Sequence, residues 1–131
     1  MTNILFTNAL EKKSQAAPPI WFMRQAGRYH RHYQKLKEKY SFEELCKIPE
    51  LAAEVASGPV REFDFDVAIL FSDILFILEG LGLGLKFNPG PQFNKNINFD
   101  NVHLFADIDK AIQHMHFQAE AIKITKEKIS N

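Results

Sequence analysis

The sequence predicts an α/β fold built around a βαβ unit, and three observations support this prediction. Two apolar runs, residues 20–23 and 66–73, have the length and residue types of buried strands. The chain between them carries helical patterns long enough to form a crossover. Each run ends in polar residues, as strands do where a parallel sheet meets a ligand. Two strands joined in this way form a right-handed parallel unit.

Composition and charge indicate one compact globular domain. The 131 residues are 46% hydrophobic and 24% charged. Lys plus Arg and Asp plus Glu both number 16, and a net charge of zero argues against a general nucleic-acid binder. The single cysteine, Cys46, excludes an intramolecular disulfide and fits a reducing compartment. No signal-peptide pattern or membrane-length apolar run stands out, so we expect a cytoplasmic protein.

The chain opens with a predicted helix and the first predicted strand. Residues 3–13 carry an apolar face at helical spacing and predict a short helix. Pro18 and Pro19 close the following loop, because proline cannot continue a helix. Residues 20–23 then form the first strand.

Three helices are predicted in the crossover. Residues 29–40 are dense in basic and aromatic residues and predict an exposed helix. Ser41 suits the N-cap of the next helix, with Glu44 at the capping-box position. Pro49 suits the first turn of a third helix, in which Pro59 predicts a kink rather than a break.

The second predicted strand, residues 66–73, contains five consecutive apolar residues. A continuous apolar run predicts a parallel strand that is covered on both faces. A short helix is then expected over residues 74–81, followed by a short strand over residues 85–87. A turn follows at residues 88–91, and residues 92–106 are Asn-rich and predict a loop.

The last predicted element is one amphipathic helix from Asp107 to about residue 129. The carboxylate of Asp107 suits a helix N-terminus. Apolar residues recur at steps of four and three and are expected to form the core face of this helix: Ile108, Ile112, Met115, Ala119 and Ile122.

The candidate site combines residues from the ends of the two predicted strands. Arg24 and Arg28 follow the first strand, with Gly27 between them, and Asp73 ends the second. Because the carboxyl ends of parallel strands share one edge, these side chains should converge. Guanidinium groups grip carboxylates in a bidentate manner, so the site suits a ligand with carboxylates and an N–H-rich part.

Simpler interpretations remain for the same residues. An arginine after a strand is often only a surface residue, and Asp73 could equally cap the helix that follows it.

Cys46 has apolar neighbours and is expected to be a packing residue. The glycines at 80, 82 and 84 neither follow a strand nor open a helix, which argues against a dinucleotide fingerprint. Histidine pairs two residues apart lie on different helix faces, so no metal site is expected: His30, His32, His114 and His116.

Two motifs give the sequence a specific resemblance. Residues 20–29, Ile-Trp-Phe-Met-Arg-Gln-Ala-Gly-Arg-Tyr, and residues 70–75, Leu-Phe-Ser-Asp-Ile-Leu, resemble the two N-terminal signatures of the uroporphyrinogen decarboxylase family. Their separation also matches, as do the residues at 49–52 and Pro59 in the intervening helix. The resemblance extends from about residue 3 to the last helix.

The resemblance implies a (β/α)8 barrel, usually a cytoplasmic homodimer, that works without metal or organic cofactor. Such an enzyme converts the acetate side chains of uroporphyrinogen III to methyl groups, which gives coproporphyrinogen III. By the same resemblance, Arg24 and Arg28 would hold substrate carboxylates, and Arg24 would also take part in proton delivery. Asp73 would accept hydrogen bonds from the pyrrole N–H groups. The intervening residues would complete the substrate-binding loop: Gln25, Ala26 and Gly27.

The sequence departs from the family pattern at several points. His30-Arg31 stands where the family usually has Leu-Pro, Leu78 stands near a common proline, and the loop at Gly90-Pro91 is short. A (β/α)8 barrel needs roughly 250 residues, so residues 1–131 are interpreted as the N-terminal segment of such a barrel. We therefore hypothesise a truncated or split gene product that is inactive alone.

Two alternatives stay open at this point. One is a related methyltransferase that acts on a corrinoid, although the double-arginine loop argues against it. The other is a non-catalytic remnant or interaction domain that another chain completes.

Overall fold

The computed structural model describes residues 3–23, 27, 29–105 and 107–130. Most of the elements in these residues are α-helices, and two short strands form an antiparallel hairpin. In chain order, the elements are α1 Ile4–Leu10, α2 Arg31–Lys37, α3 Phe42–Lys47, α4 Pro49–Phe63, α5 Phe76–Gly80, β1 Leu85–Phe87, β2 Pro91–Phe93, a 3-10 helix Val102–Leu104, α6 Ile108–His114 and α7 His116–Ser130. In the described part of the chain, no helix is both long enough and apolar enough to cross a membrane.

Side-chain caps fix the starts of α3 and α6, as local sequence signals predict. The Ser41 hydroxyl accepts from the Glu44 backbone N–H at 3.2 Å, and the Glu44 carboxylate accepts from the Ser41 N–H at 2.8 Å. This completes the capping box that was predicted for α3. The Asp107 carboxylate accepts from the Lys110 N–H at 3.0 Å and so caps α6, also as predicted.

Helix α4 is the central element. It begins at Pro49 and continues through Pro59 as one helix, which confirms that Pro59 does not divide it. Its small buried residues pack against α7, and the buried α7 residues are Ala121 and Thr125. The contact between α4 and α7 is the most extensive between any two described elements. Small side chains let two helix backbones approach closely, which accounts for the extent of this contact.

Two clusters of buried side chains form the core. The first contains Tyr33, Leu45 and Val55 from α2, α3 and α4. It corrects one expectation, because the helix predicted as exposed over residues 29–40 buries Tyr33 against its neighbours. The second cluster joins α3 to α5 and the hairpin, and its buried members are Cys46, Phe76 and Leu85. Cys46 is therefore a packing residue, as predicted.

The two predicted strands are not paired strands in the described part of the chain. Segments 20–23 and 66–73 form no ladder of backbone hydrogen bonds, although the first residues of the two segments lie side by side. The Asp66 N–H donates to the Ile20 carbonyl at 3.1 Å, and the Ile20 N–H donates to the Asp66 carboxylate at 2.7 Å. The expected burial on both faces is also wrong, because Ile69 is 47% exposed. A parallel strand needs neighbours on both edges and layers on both faces, and the described residues supply only part of these.

A hairpin occupies part of the segment that was predicted as a loop. The prediction of a strand at residues 85–87 is confirmed, but residues 91–93 pair with it in antiparallel register, with Leu85 opposite Phe93. The 3-10 helix is a second departure from the loop predicted over residues 92–106. The strand β2 is only three residues long and begins with proline, so its sequence carries little strand signal.

The single helix predicted at the end of the chain is two helices. Helices α6 and α7 meet at Met115. The predicted core face is wrong for Ile108, Ile112 and Ile122, which are 70%, 60% and 47% exposed, and for Ala119, which is also exposed. It is confirmed for Met115, which packs against the second cluster. Small residues occupy the buried positions instead: Ala111, Ala121 and Thr125. Periodicity identified the helices, but it did not distinguish the large apolar side chains from the small ones that permit close packing.

Candidate functional site

Most of the predicted arginine loop lies outside the described residues, namely Arg24, Gln25, Ala26 and Arg28. Two residues of the loop are described, and both are informative. The side-chain amide of Gln34 on α2 donates to the Gly27 carbonyl. Tyr29 is 55% exposed and packs on Phe63, with ring centroids 6.2 Å apart. The loop therefore contacts α2 through Gly27, and the residue that follows the loop, Tyr29, contacts α4.

His30 anchors the chain directly after this loop. Its side chain is fully buried, and its Nε2 lies 2.8 Å from the Glu62 carboxylate. A Cβ at Gly58 would lie only 2.9 Å from His30 Cε1. The His30 ring can therefore pack this closely on α4 because residue 58 is a glycine. In the sequence, His30 stands where it departs from the family pattern, and no motif indicates a role for it. Its burial fixes the point at which the arginine loop enters α2.

Asp73 lies where the second predicted strand ends, as the sequence predicts. Its Oδ1 accepts from the Leu75 backbone N–H at 2.8 Å, and its carbonyl accepts from the Phe76 N–H at 3.5 Å. The N-cap of α5 is Leu75, and no side-chain cap hydrogen bond forms there, so the interpretation of Asp73 as the cap of this helix is wrong. The contact with Leu75 is an Asx turn that precedes the helix. It is compatible with a role in binding, because a carboxylate has two oxygens and this contact uses one lone pair of one of them. Asp73 is half-buried, which leaves the group within reach of a ligand.

Ser72 and Gln118 form a contact that sequence reasoning missed. The side-chain amide of Gln118, on α7, donates to the Ser72 hydroxyl at 2.6 Å. The two residues are 46 positions apart in the chain. A usable signal was the position of Gln118, which stands three and seven residues before the buried Ala121 and Thr125 and so lies on the packed face of α7.

Cys46 lies close enough to Asp73 for the two groups to interact electrostatically. Burial raises the pKa of the Cys46 thiol to about 12, with a further contribution from the Asp73 charge. A thiol of this kind stays protonated at neutral pH and is not a nucleophile. Cys46 and the fully buried Phe76 thus belong to an apolar cluster near Asp73, and the Lys47 Nζ lies 5.1 Å from the centroid of the Phe76 ring.

Exposed apolar side chains lie on the two segments that lead into the site. Phe22, Met23 and Ile69 are 59%, 74% and 47% exposed. Phe22 packs edge-on against Phe65, with ring centroids 5.5 Å apart. The site therefore combines a carboxylate with neighbouring apolar surface. Among residues 3–23, 27, 29–105 and 107–130, no cluster of three or more His, Cys, Asp or Glu could hold a metal ion.

Known proteins resemble the chain over its whole length. The family model described as uroporphyrinogen decarboxylase matches residues 1–131. A uroporphyrinogen decarboxylase of Carboxydothermus hydrogenoformans is 39% identical and covers 98% of this chain, which in turn covers 37% of that relative. A uroporphyrinogen decarboxylase of Chloroherpeton thalassium is 38% identical, with 100% of this chain and 38% of the relative covered.

A shorter match with a higher identity comes from Thermodesulfovibrio yellowstonii. Its uroporphyrinogen decarboxylase is 57% identical over 81 residues, which is 60% of this chain and 24% of the relative. The chain thus spans 37–38% of the length of the relatives that match it almost completely. Since the family model covers every residue, the chain belongs to the uroporphyrinogen decarboxylase family.

Proposed function

We propose that this chain is the N-terminal segment of a uroporphyrinogen decarboxylase, the enzyme that converts four acetate side chains of uroporphyrinogen III to methyl groups. The observation that carries the proposal is the Asp73 carboxylate, which the Leu75 N–H holds at 2.8 Å at the end of the second predicted strand. The position of Asp73 in the Leu70–Leu75 motif supports its role as acceptor of the pyrrole N–H groups.

The proposed reaction needs an electron sink for the bond that breaks. Protonation of a pyrrole carbon gives a cation that accepts the electron pair of the C–C bond as CO2 leaves. The resulting exocyclic carbon is then protonated to a methyl group. The ring carbon loses the proton that it first gained, which restores the pyrrole, so one proton is taken up for each CO2 released. A fixed aspartate next to the pyrrole nitrogens stabilises this cation as its charge develops, and removing such a group costs about 3–4 kcal/mol in the transition state.

The arginine loop supplies the second half of the proposed site. Arg24 and Arg28 would hold the carboxylates of the substrate, with Gln25, Ala26 and Gly27 completing the loop, and Arg24 would assist proton delivery. The contacts of Gly27 with Gln34 and of His30 with Glu62 support a loop that is held on its C-terminal side. Chemistry of this kind requires no cofactor, because the substrate ring itself is the electron sink.

The fold proposal follows from the family and from the arrangement of the two segments. Residues 20–23 and 66–73 would be the first two strands of a (β/α)8 barrel, with residues 1–131 as its N-terminal segment. The hydrogen bond from Asp66 to the Ile20 carbonyl supports this, because it aligns the starts of the two segments. The exposed Phe22 and Ile69 would then face the remaining strands or the macrocycle. A cytoplasmic homodimer is part of the same proposal.

The test is a titration of the chain with uroporphyrin III, the oxidised and fluorescent form of the substrate. We expect Asp73→Asn to weaken binding by about tenfold or more, since a hydrogen bond to a charged group contributes about 1.5–3 kcal/mol. Asp100→Asn, in an exposed turn, is the matched control and should bind as the unsubstituted chain does. Binding that survives both Asp73→Asn and Arg24→Ala would refute the site and favour the non-catalytic interaction domain.

A further inference from the structure

We propose that Gln118 is a positioning residue that holds the turn containing Asp73 in place for the substrate. This inference rests on the proposed function of Asp73 and adds a residue from the far end of the chain. The Gln118 amide donates to the Ser72 hydroxyl at 2.6 Å, directly before Asp73. On the other side, the Asp73 carboxylate accepts from the Leu75 N–H at 2.8 Å. The turn is therefore fastened from both directions.

The amide of Gln118 is itself held firmly. It lies on the face of α7 that carries Ala121, fully buried, and Thr125, 6% exposed. This face packs against α4, the most extensive contact between described elements. A side chain on a packed helix face has few accessible rotamers, so the amide reaches Ser72 at little further cost in conformational entropy.

The turn itself has little packing of its own on one side. Ile74, the residue after Asp73, is 89% exposed. Residues 71–73 belong to no ladder, so backbone pairing does not fix them; Phe71 packs on Tyr33, with ring centroids 5.3 Å apart, but Ser72 and Asp73 belong to neither core cluster. A polar contact from α7 then has a larger effect on the position of Asp73 than it would inside a sheet. Polar contacts between elements distant in sequence commonly orient groups that bind a ligand.

The first test is amide hydrogen exchange, which needs no ligand. In Gln118→Met, the Leu75 amide should exchange at least about fivefold faster, the factor that corresponds to one lost hydrogen bond. The amide of Ala56, in the middle of α4, should keep its rate, because the helix packing is preserved. Gln113→Met, on the exposed face of α6, is the matched control. Equal rates at Leu75, or an equal increase at Ala56, would overturn the proposal.

The second test asks whether the contact acts through Ser72 on ligand binding. Gln118→Met and Ser72→Ala should each weaken uroporphyrin III binding by about fivefold, and the double variant should lose no more than either single one. Ser72→Thr retains the hydroxyl and should restore binding. Additive losses would refute a shared contact.

The two tests separate this inference from the proposed function. A chain that binds no uroporphyrin III, or that binds it equally well as Asp73→Asn, would contradict the proposed function. The exchange rate of Leu75 would still decide the role of Gln118 in either case.

Discussion

The helical half of this molecule and the two segments that carry the candidate site differ in how completely they are packed. Helices α4 and α7 bury small residues against each other, and Ala52 and Ala121 are fully buried. Segments 20–23 and 66–73 have the apolar composition of strands, yet Met23 remains 74% exposed. The more apolar sequence is thus the less buried one.

The difference follows from where each element finds its hydrogen bonds. A helix satisfies its backbone within itself, so it needs only one packed face. A parallel strand needs partners on both edges. The described residues provide one such contact, between Asp66 and Ile20. The helical half therefore has a core of its own, whereas the position of the site depends on a few polar contacts.

The largest loss of stability should come from a substitution that leaves a cavity in the core. Phe76 is fully buried between α3, α5 and the hairpin, so Phe76→Ala should lower the free energy of unfolding by about 3–5 kcal/mol. Urea unfolding followed by circular dichroism measures this loss. Phe99→Ala is the control, since Phe99 is 100% exposed and its removal should change stability by less than about 0.5 kcal/mol. Similar losses in the two variants would show that the second core cluster is not formed.

The contact between the two segments should have a smaller and more local effect. The Asp66 carboxylate accepts from the Ile20 N–H at 2.7 Å and from the Asn3 amide at 2.8 Å. We expect Asp66→Ala to cost about 1–2 kcal/mol, because it removes charge-assisted hydrogen bonds near the surface. Amide exchange should accelerate at Ile20 and remain unchanged in α4. Asp100→Ala, in an exposed turn, provides a matched control; an equal response there would contradict a specific role for Asp66.

The elements with strong local signals could be predicted from the sequence. The capping box of Ser41 and Glu44, the proline that opens α4 and the cap at Asp107 depend on neighbours within a few residues. The strand β2 could not be predicted, because its three residues form a strand only by pairing with β1. The burial of residues 66–73 was equally out of reach, since it depends on what covers them rather than on their composition.

The candidate site likewise has features that could be predicted from the sequence and features that could not. Asp73 could be located from its motif, but its side chain forms an Asx turn with Leu75 rather than the helix cap that was considered as an alternative. The contacts of Gln118 with Ser72 and of His30 with Glu62 join residues 46 and 32 positions apart. No local pattern encodes such pairs. The roles of Arg24 and Arg28 stay predictions, since those residues lie outside the described ranges.

The pH dependence of the free energy of unfolding provides a test of the contact between α4 and α7. Burial raises the pKa of Glu54, but Lys128 and Arg61 outweigh this and leave the pKa below its ordinary value of 4.5. Because the folded pKa is the lower one, the stabilisation is present above pH 4.5 and is lost as the pH falls through the folded value. The His32 Nε2 also lies 2.8 Å from the Glu54 carboxylate.

We expect Glu54→Gln to lower the free energy of unfolding by about 0.5–1 kcal/mol at pH 7. The variant should also flatten the decline of stability below pH 4.5, the ordinary pKa of the carboxyl. Thermal unfolding from pH 3 to pH 7 measures both effects. Glu127→Gln, on the exposed side of α7, should follow the curve of the unsubstituted chain. Parallel curves for Glu54→Gln and the unsubstituted chain would contradict a stabilising ion pair between α4 and α7.

The smallest effect should come from the apolar stripe that sequence periodicity assigned to the core. Ile112 is 60% exposed on α6, whereas its neighbour Ala111 is fully buried. Ile112→Ser should therefore change the free energy of unfolding by less than about 0.5 kcal/mol, while Ala111→Ser places a hydroxyl in a packed site and should cost about 1–3 kcal/mol. Chemical unfolding of the two variants decides between the two faces. A loss of more than about 2 kcal/mol for Ile112→Ser would instead mean that this face is covered in solution, since only a buried isoleucine contributes that much.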